Sequence, residues 1–291
     1  MGRKWSLPPN LDLINGSKAS MNLASQRMPV LFIGHGSPMN AIEDTPFRRA
    51  WQQLGREFGV RWPKPTLILC ISAHWLTSGW WLTGMSSPKT IHDFGGFPQA
   101  LFDQQYPVPG APEWVAQTAL RLKQPSDGEP VGIDLQEWGL DHGAWSVLKP
   151  MFPAADMPVV QLSIDAHRPP AEHFVLGKQL RALREEGVLI VASGNTVHNL
   201  RTMNRSAADN DAFDWAMAFD QWVAQQITTG NNAALVDFQA QGEIAKMSHP
   251  SYEHFLPLLY AAGAADPGEP MTFFNEGYQL ASIAMRSVIW G

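Results

Sequence analysis

The sequence predicts an α/β protein, a single domain with a central mixed, largely parallel sheet flanked by helices. Three observations carry that prediction. Apolar runs alternate with helical patterns from about residue 28 onward, the order that puts helices between the strands of one sheet. The runs are continuously apolar, as in strands covered on both faces. No repeat, low-complexity stretch or linker divides the 291 residues, a length that one large domain accommodates. Residues 1–27 are polar and carry no apolar segment of the secretory type. They are expected to form an irregular tail ahead of a folded domain spanning 28–291.

The elements follow in order. Met28 to Ile33 (M-P-V-L-F-I) reads as the first strand. Thr45 to Phe58 reads as a helix, because Phe47, Ala50, Trp51, Leu54 and Phe58 recur at spacings of three and four. Thr66 to Ser72 (T-L-I-L-C-I-S) is the next strand. Pro112 to Leu122 is an amphipathic helix with proline in its first turn, and Trp145 to Met151 a short helix or turn. Met157 to Ile164 is a strand. Pro169 to Glu186 is a helix that starts at prolines and stops at Gly187. Gly187 to Ala192 is a strand and Ala212 to Ile227 a long helix. Tyr252 to Ala262 reads as a helix despite Pro257, and Ile283 to Trp290 as a closing strand.

Composition removes several classes of function. A net charge of -6 argues against a nucleic-acid partner, which calls for a basic stripe. No apolar stretch reaches the roughly 18 residues of a membrane span, so no membrane partner is expected and the cytoplasm is the default location. Cys70 is the one cysteine and reads as a small buried residue. An internal disulfide is therefore impossible, and a metal site must draw on His, Asp or Glu. The motifs of phosphate cradles, zincin proteases and nucleophile elbows are absent.

The histidines carry the chemistry. His35 (G-H-G-S-P-M-N), His74 (I-S-A-H-W) and His198 (S-G-N-T-V-H-N-L) each follow a strand-like run within a few residues. If those runs are neighbours in one sheet, three imidazoles meet at the edge where open α/β sheets bind ligands, and imidazole is the commonest metal ligand. Each motif alone also fits a turn or half-buried histidine; their joint occurrence favours a site. His198 suits either ligation or proton transfer near neutral pH. His254, in Y-E-H-F, falls on an expected helix, where an apolar-flanked histidine is more often core. Glu253 beside it points elsewhere on a helix. His249 competes with His254 for any role. Asp141-His142-Gly143 offers an acid–imidazole turn. His92, in I-H-D-F-G-G-F-P, is a weaker pocket candidate, while His167 and His173 look like surface residues at a helix start.

Taken in order, G-H-G-S-P, S-A-H-W, D-H-G-A-W, S-G-N-T-V-H-N-L and Y-E-H-F-L-P-L-L-Y resemble the class III extradiol ring-cleavage dioxygenases, and within them a subgroup acting on DOPA-like catechols. The resemblance runs from about Met28 to the C-terminus and includes I-H-D-F-G-G-F-P-Q-A-L, to which no role is assigned. It implies a non-haem Fe(II) centre, with Zn(II) possible in its place, and a small catechol substrate cleaved beside its diol with O2. By that resemblance His35, His74 and His254 are metal ligands. The third is a histidine where other members use glutamate, a departure from the two-histidine, one-carboxylate triad. The resemblance makes His198 the acid/base residue, close enough to count as a fourth ligand if zinc is bound. It makes His142 a second pocket histidine that contacts substrate and is able to hydrogen-bond a developing oxyanion. Two other readings stay open on the residues alone. The same cluster could activate water in a zinc-dependent hydrolase, or the chain could bind aromatic ligands with purely structural histidines.

Overall fold

A computed structural model describes residues 27–208 and 210–291. The expected N-terminal tail lies outside the described residues, apart from Arg27. In chain order the elements are β1 (Val30–Gly34), α1 (Pro46–Glu57), β2 (Leu67–Thr77), β3 (Trp81–Thr83), α2 (Gln99–Phe102), α3 (Pro112–Arg121), β4 (Gly132–Asp134), α4 (His142–Met151), β5 (Val159–Asp165), α5 (Pro170–Leu180), β6 (Val188–Gly194), α6 (Asp214–Thr229), α7 (Asn232–Val236), α8 (Glu243–Ser248), α9 (Leu256–Ala264), β7 (Met271–Phe274), β8 (Tyr278–Gln279), β9 (Ile283–Ala284) and β10 (Ser287–Trp290).

Eight strands form one sheet in the order β4-β3-β5-β2-β6-β1-β10-β7. The central four, β5-β2-β6-β1, are parallel. Antiparallel β10 and β7 close one side and the short β3–β4 pair the other. The apolar runs become strands because both faces are covered. Along β1, Val30 and Phe32 enter one core layer while Leu31 and Ile33 enter the other. This is the period-two alternation of a pleated strand. One layer is completed by α5, α6 and α9 (Leu176, Phe219, Leu258), the other by α1 and α4 (Trp51, Leu54, Trp145, Leu148). Among the described residues no helix is long and apolar enough to cross a membrane.

Local chemistry sets the element ends. Thr45 caps α1, accepting from the Arg48 amide at 3.1 Å, with Pro46 at the first helical position. Gly187 (φ 80°) ends the 3-10 turn that extends α5, and Gly230 (φ 66°) ends α6, both in the left-handed conformation glycine tolerates.

The sequence expectations need four corrections. β2 does not stop at Ser72 but runs to Thr77, so His74 lies inside the strand. There the register with β5 slips: five steps from Ile71 to Leu76 face two from Leu162 to Ile164, a bulge that re-aims side chains. The helix expected from Tyr252 begins only at Leu256, with Pro257 in its first turn, so His254 lies in the preceding turn. Pro257 marks a start there, not an interruption. The closing strand is two strands, β9 on β8 and β10 on β1. α4 begins at His142, because Asp141 caps it through the Ala144 amide. The short elements β3, β4, β7, β8, α2, α7 and α8 were not anticipated.

Gly194, at the end of β6, lets the His254 turn approach the sheet. The Asn195 amide bonds the His254 carbonyl at 2.8 Å, and a Cβ on Gly194 would stand 2.3 Å from that same oxygen. Gly194→Ala should therefore cost about 1–3 kcal/mol of stability, the usual range for overpacking, and should push His254 out of place. Urea unfolding measures the first effect; unchanged stability would show that the turn is free to move.

Candidate metal centre

The parallel topology brings the carboxyl ends of β1, β6 and β2 side by side. His35 follows β1 directly, His74 rides the β2 bulge, and the turn bearing His254 leans on Gly194 between them. The three ring centroids form a near-equilateral triangle, with sides of 5.1 Å (His35–His74), 5.2 Å (His35–His254) and 4.9 Å (His74–His254). One nitrogen from each lies within 4.8 Å of the others.

Hydrogen bonds decide which nitrogen each ring presents. The Ser193 hydroxyl gives its one proton to the Gly143 carbonyl at 2.6 Å. It must then accept from His35 Nδ1 at 3.0 Å, which leaves His35 Nε2 bare. Asp93 Oδ2 lies 3.5 Å from His74 Nδ1, and its charge favours the proton on that side. Glu253 Oε1 accepts from His254 Nδ1 at 3.2 Å. His254 Nε2 is then buried and has no hydrogen-bond partner. Three imidazoles thus present three unprotonated Nε2 atoms, each oriented through the other nitrogen, which is how metal-bound histidines are held.

This donor set fits a divalent ion. His35 Nε2 and His74 Nε2 are 3.2 Å apart, near the roughly 3.3 Å between two nitrogens that share a tetrahedral ion at 2.0–2.1 Å. Two lone pairs at that distance repel unless a metal ion or a shared proton lies between them. Burial pushes His35, His74 and His254 well below the usual histidine range, and neighbouring imidazoles push them further. Asp93 opposes the shift at His74. All three are neutral at pH 7, the state in which imidazole ligates.

Around the triangle stand the other residues. His142, on the first turn of α4, packs against His74 with ring centroids 3.9 Å apart. Gly143 makes room for that neighbour: a Cβ there would stand 2.4 Å from Ser72 Oγ and 2.8 Å from His74 Cδ2. Phe94 meets His142 edge-on at 5.6 Å. His198 stacks flat on His254 at 3.5 Å and 4°, outside the three-nitrogen set. Its amide bonds the Ser248 carbonyl. Burial, His249 and His142 lower its pKa to about 3. The loop leading to it is anchored by Thr196 Oγ1, which donates to Asp220 Oδ1 at 2.7 Å; buried Asp220 is also gripped by Arg286 and Tyr278.

The remaining candidates have structural places. His92 bonds the Gln104 carbonyl through Nε2 at 2.9 Å, and its ring packs on Phe94 and Trp145. His249 Nε2 bonds the Thr196 carbonyl at 2.8 Å behind His198. His173, expected at the surface, is fully buried: its Nδ1 takes the Tyr260 hydroxyl at 2.8 Å, and that oxygen accepts from Trp80 Nε1. The residue that sequence reasoning missed is Asp93, whose side chain is 17% exposed between His74 and His142. Its signal was an acid within the glycine-rich H-D-F-G-G-F stretch.

Fold and site together define a class, an α/β protein holding a cluster of neutral imidazoles at the carboxyl edge of its parallel strands. The family described as the catalytic LigB subunit of aromatic ring-opening dioxygenase matches residues 29–285, and the chain belongs to that family of metal-dependent extradiol dioxygenases. It is similar to a 4,5-DOPA dioxygenase extradiol of Escherichia coli (strain K12), 48% identical over 269 residues that cover 91% of this chain and 96% of the relative. A 4,5-DOPA dioxygenase extradiol of Beta vulgaris is 38% identical over 234 residues, covering 80% and 85%. Among solved structures, an uncharacterized protein from Escherichia coli K12 superposes with a TM-score of 0.77 at 42% identity, covering 91% of this chain and all of that one.

Six histidines (35, 74, 173, 198, 249 and 254), four buried and His74 and His198 half-buried, have lowered pKa values that favour the neutral form. In the unfolded chain they titrate near 6.5. Below that pH the unfolded state binds more protons, so the stability they leave intact above about 6.5 is lost as pH falls toward the folded values. Each contributes a slope of up to about 1.4 kcal/mol per pH unit. Metal-free protein should therefore unfold at clearly lower urea at about pH 5 than at about pH 7.5; equal midpoints would contradict the burial of neutral imidazoles.

Proposed function

We propose that residues 28–291 form the catalytic unit of an enzyme that opens the ring of a DOPA-like catechol beside its two hydroxyls, with O2 as co-substrate. In this reading His35, His74 and His254 hold one Fe(II), and Zn(II) suits the same nitrogen donors. The observation that carries it is the buried, partnerless Nε2 of His254, aimed at the same point as the two Nε2 atoms of His35 and His74. The names of the Escherichia coli and Beta vulgaris relatives support the substrate class.

Bound Fe(II) would supply a Lewis-acidic centre that lowers the pKa of a catechol hydroxyl and gathers diol and O2 at one place. The chain's own residues do the rest. Three neutral imidazoles add no negative charge, so the site favours an anionic diolate. His198, neutral at pH 7, is available to accept a hydroxyl proton, and an anion arriving beside it raises its affinity for that proton. Such acid–base help is worth roughly 10²–10⁴-fold in rate. His142 offers Nε2 to the same space, and the Phe94 ring beside it provides an apolar wall for a flat substrate. The ring of His198 lies over His254, which favours proton transfer for it over a place as a fourth ligand.

Two measurements test this reading. Anaerobically Fe(II)-loaded protein should consume O2 and form a yellow ring-opened product with L-DOPA or a simpler catechol. No uptake across a catechol panel, or O2-independent turnover with Zn(II), would overturn it. His35→Ala and His74→Ala should lose the metal. His198→Ala should keep most of it and lose roughly 10²–10⁴-fold in turnover. Equal metal loss in all three variants, by elemental analysis, would make His198 a ligand.

A further inference from the structure

We infer that Asp93 is a positioning residue, one carboxylate that sets the proton positions of both His74 and His142 and so decides which face each ring turns to the site. The inference rests on the functional reading above and adds a residue to it. Three contacts carry it. Asp93 Oδ1 accepts from the His142 backbone amide at 2.8 Å. Asp93 Oδ2 accepts from His142 Nδ1 at 2.9 Å and lies 3.5 Å from His74 Nδ1.

The amide bond matters most, because it fixes the carboxylate independently of either ring. His142 is the first residue of α4, so its amide has no partner within the helix. Asp93 takes that amide, and the helix N-terminus favours the negative charge. With Oδ1 anchored, Oδ2 lies between two ring nitrogens and can only accept. His142 must then carry its proton on Nδ1, and the carboxylate charge 3.5 Å from His74 Nδ1 favours the proton on that side of His74 as well. His74 thereby presents a bare Nε2 toward His35, as a ligand requires. With Nδ1 donating to Asp93, His142 presents Nε2 as an acceptor for a substrate hydroxyl. That alters the expectation of a donor to an oxyanion, because a bare Nε2 accepts. The ring-on-ring contact of His74 and His142 keeps both within reach of one carboxylate.

The same atoms admit one rival, in which His74, Asp93 and His142 hold a second ion of their own. That would require His74 to give up protons at both nitrogens, whereas the positioning role keeps a proton on each ring.

Asp93→Asn separates these cases. The amide oxygen can keep the His142 backbone contact, but its NH2 group then faces the two Nδ1 atoms and can only donate. Both protons are driven to Nε2. In metal-free protein, long-range 1H–15N correlation of the imidazoles should show Nδ1–H at His142 in the wild type and Nε2–H in the variant. Zn(II) affinity should fall by about 10–100-fold, the usual loss when a ligand's hydrogen-bond partner is removed. Asp93→Ala, which neither donates nor accepts there, should weaken Zn(II) binding without forcing Nε2–H. Unchanged tautomers in Asp93→Asn, or unchanged Zn(II) affinity in both variants, would overturn the inference. So would two Zn(II) per wild-type chain and one in Asp93→Asn, which would make Asp93 a ligand. The tautomer and Zn(II) measurements do not involve catechol. If wild-type protein turned over no catechol, the functional reading would fall while Asp93 would still be tested.

Discussion

Everything at this site depends on keeping several buried imidazoles neutral and aimed at one point. Burial alone makes them neutral, because an imidazolium loses its hydration and sits among other imidazoles. It does not aim them, since a neutral ring has two tautomers and only one leaves Nε2 bare. The aim comes from acceptors placed behind each ring. Ser193 holds His35, Asp93 stands behind His74, and Glu253 holds His254. Each acceptor lies on a different element from its ring, except Glu253, so the site assembles only when the sheet does.

The fold serves that requirement through close approach. β6 lies between β1 and β2, and its last residues, Ser193 and Gly194, are small. Ser193 reaches both His35 and the Gly143 carbonyl, which ties β1, β6 and α4 into one unit. Gly194 lets the 253–255 turn rest on the sheet edge, and Gly143 lets α4 approach the His74 ring. A bulkier residue would disturb the triangle, since a Cβ at Gly194 meets the His254 carbonyl and one at Gly143 meets the His74 ring. Behind His198, the Thr196–Asp220–Arg286 contacts do the same for its loop. Removing one partner of such a buried pair typically costs 3–5 kcal/mol.

The sheet and two of the three triangle histidines were legible in the sequence, because continuous apolar runs signal doubly covered strands, and His35 and His74 each come within two residues of such a run. His254 was legible only by resemblance. Its neighbours Tyr252, Phe255 and Leu256 repeat like a helix, and only Pro257 marks the helix start that leaves His254 in a turn. His173 looked exposed because its prolines and Glu172 read as a surface helix start. Its partner Tyr260 is 87 residues away, and no local pattern carries a contact of that span. Asp93 was missed for the same reason, since 49 residues separate it from His142. The short strands β3 and β4 have three residues each, too few for periodicity to register.

The central claim is that three imidazoles, turned by their hydrogen-bond partners, hold one metal ion through Nε2. X-ray absorption of anaerobically Fe(II)-loaded protein tests it most directly. The account predicts a first shell of nitrogen and oxygen only, with the outer-shell scattering of three imidazoles, and the loss of one imidazole contribution in His254→Ala. A shell with fewer than three imidazoles, or one left unaltered by that substitution, would contradict it.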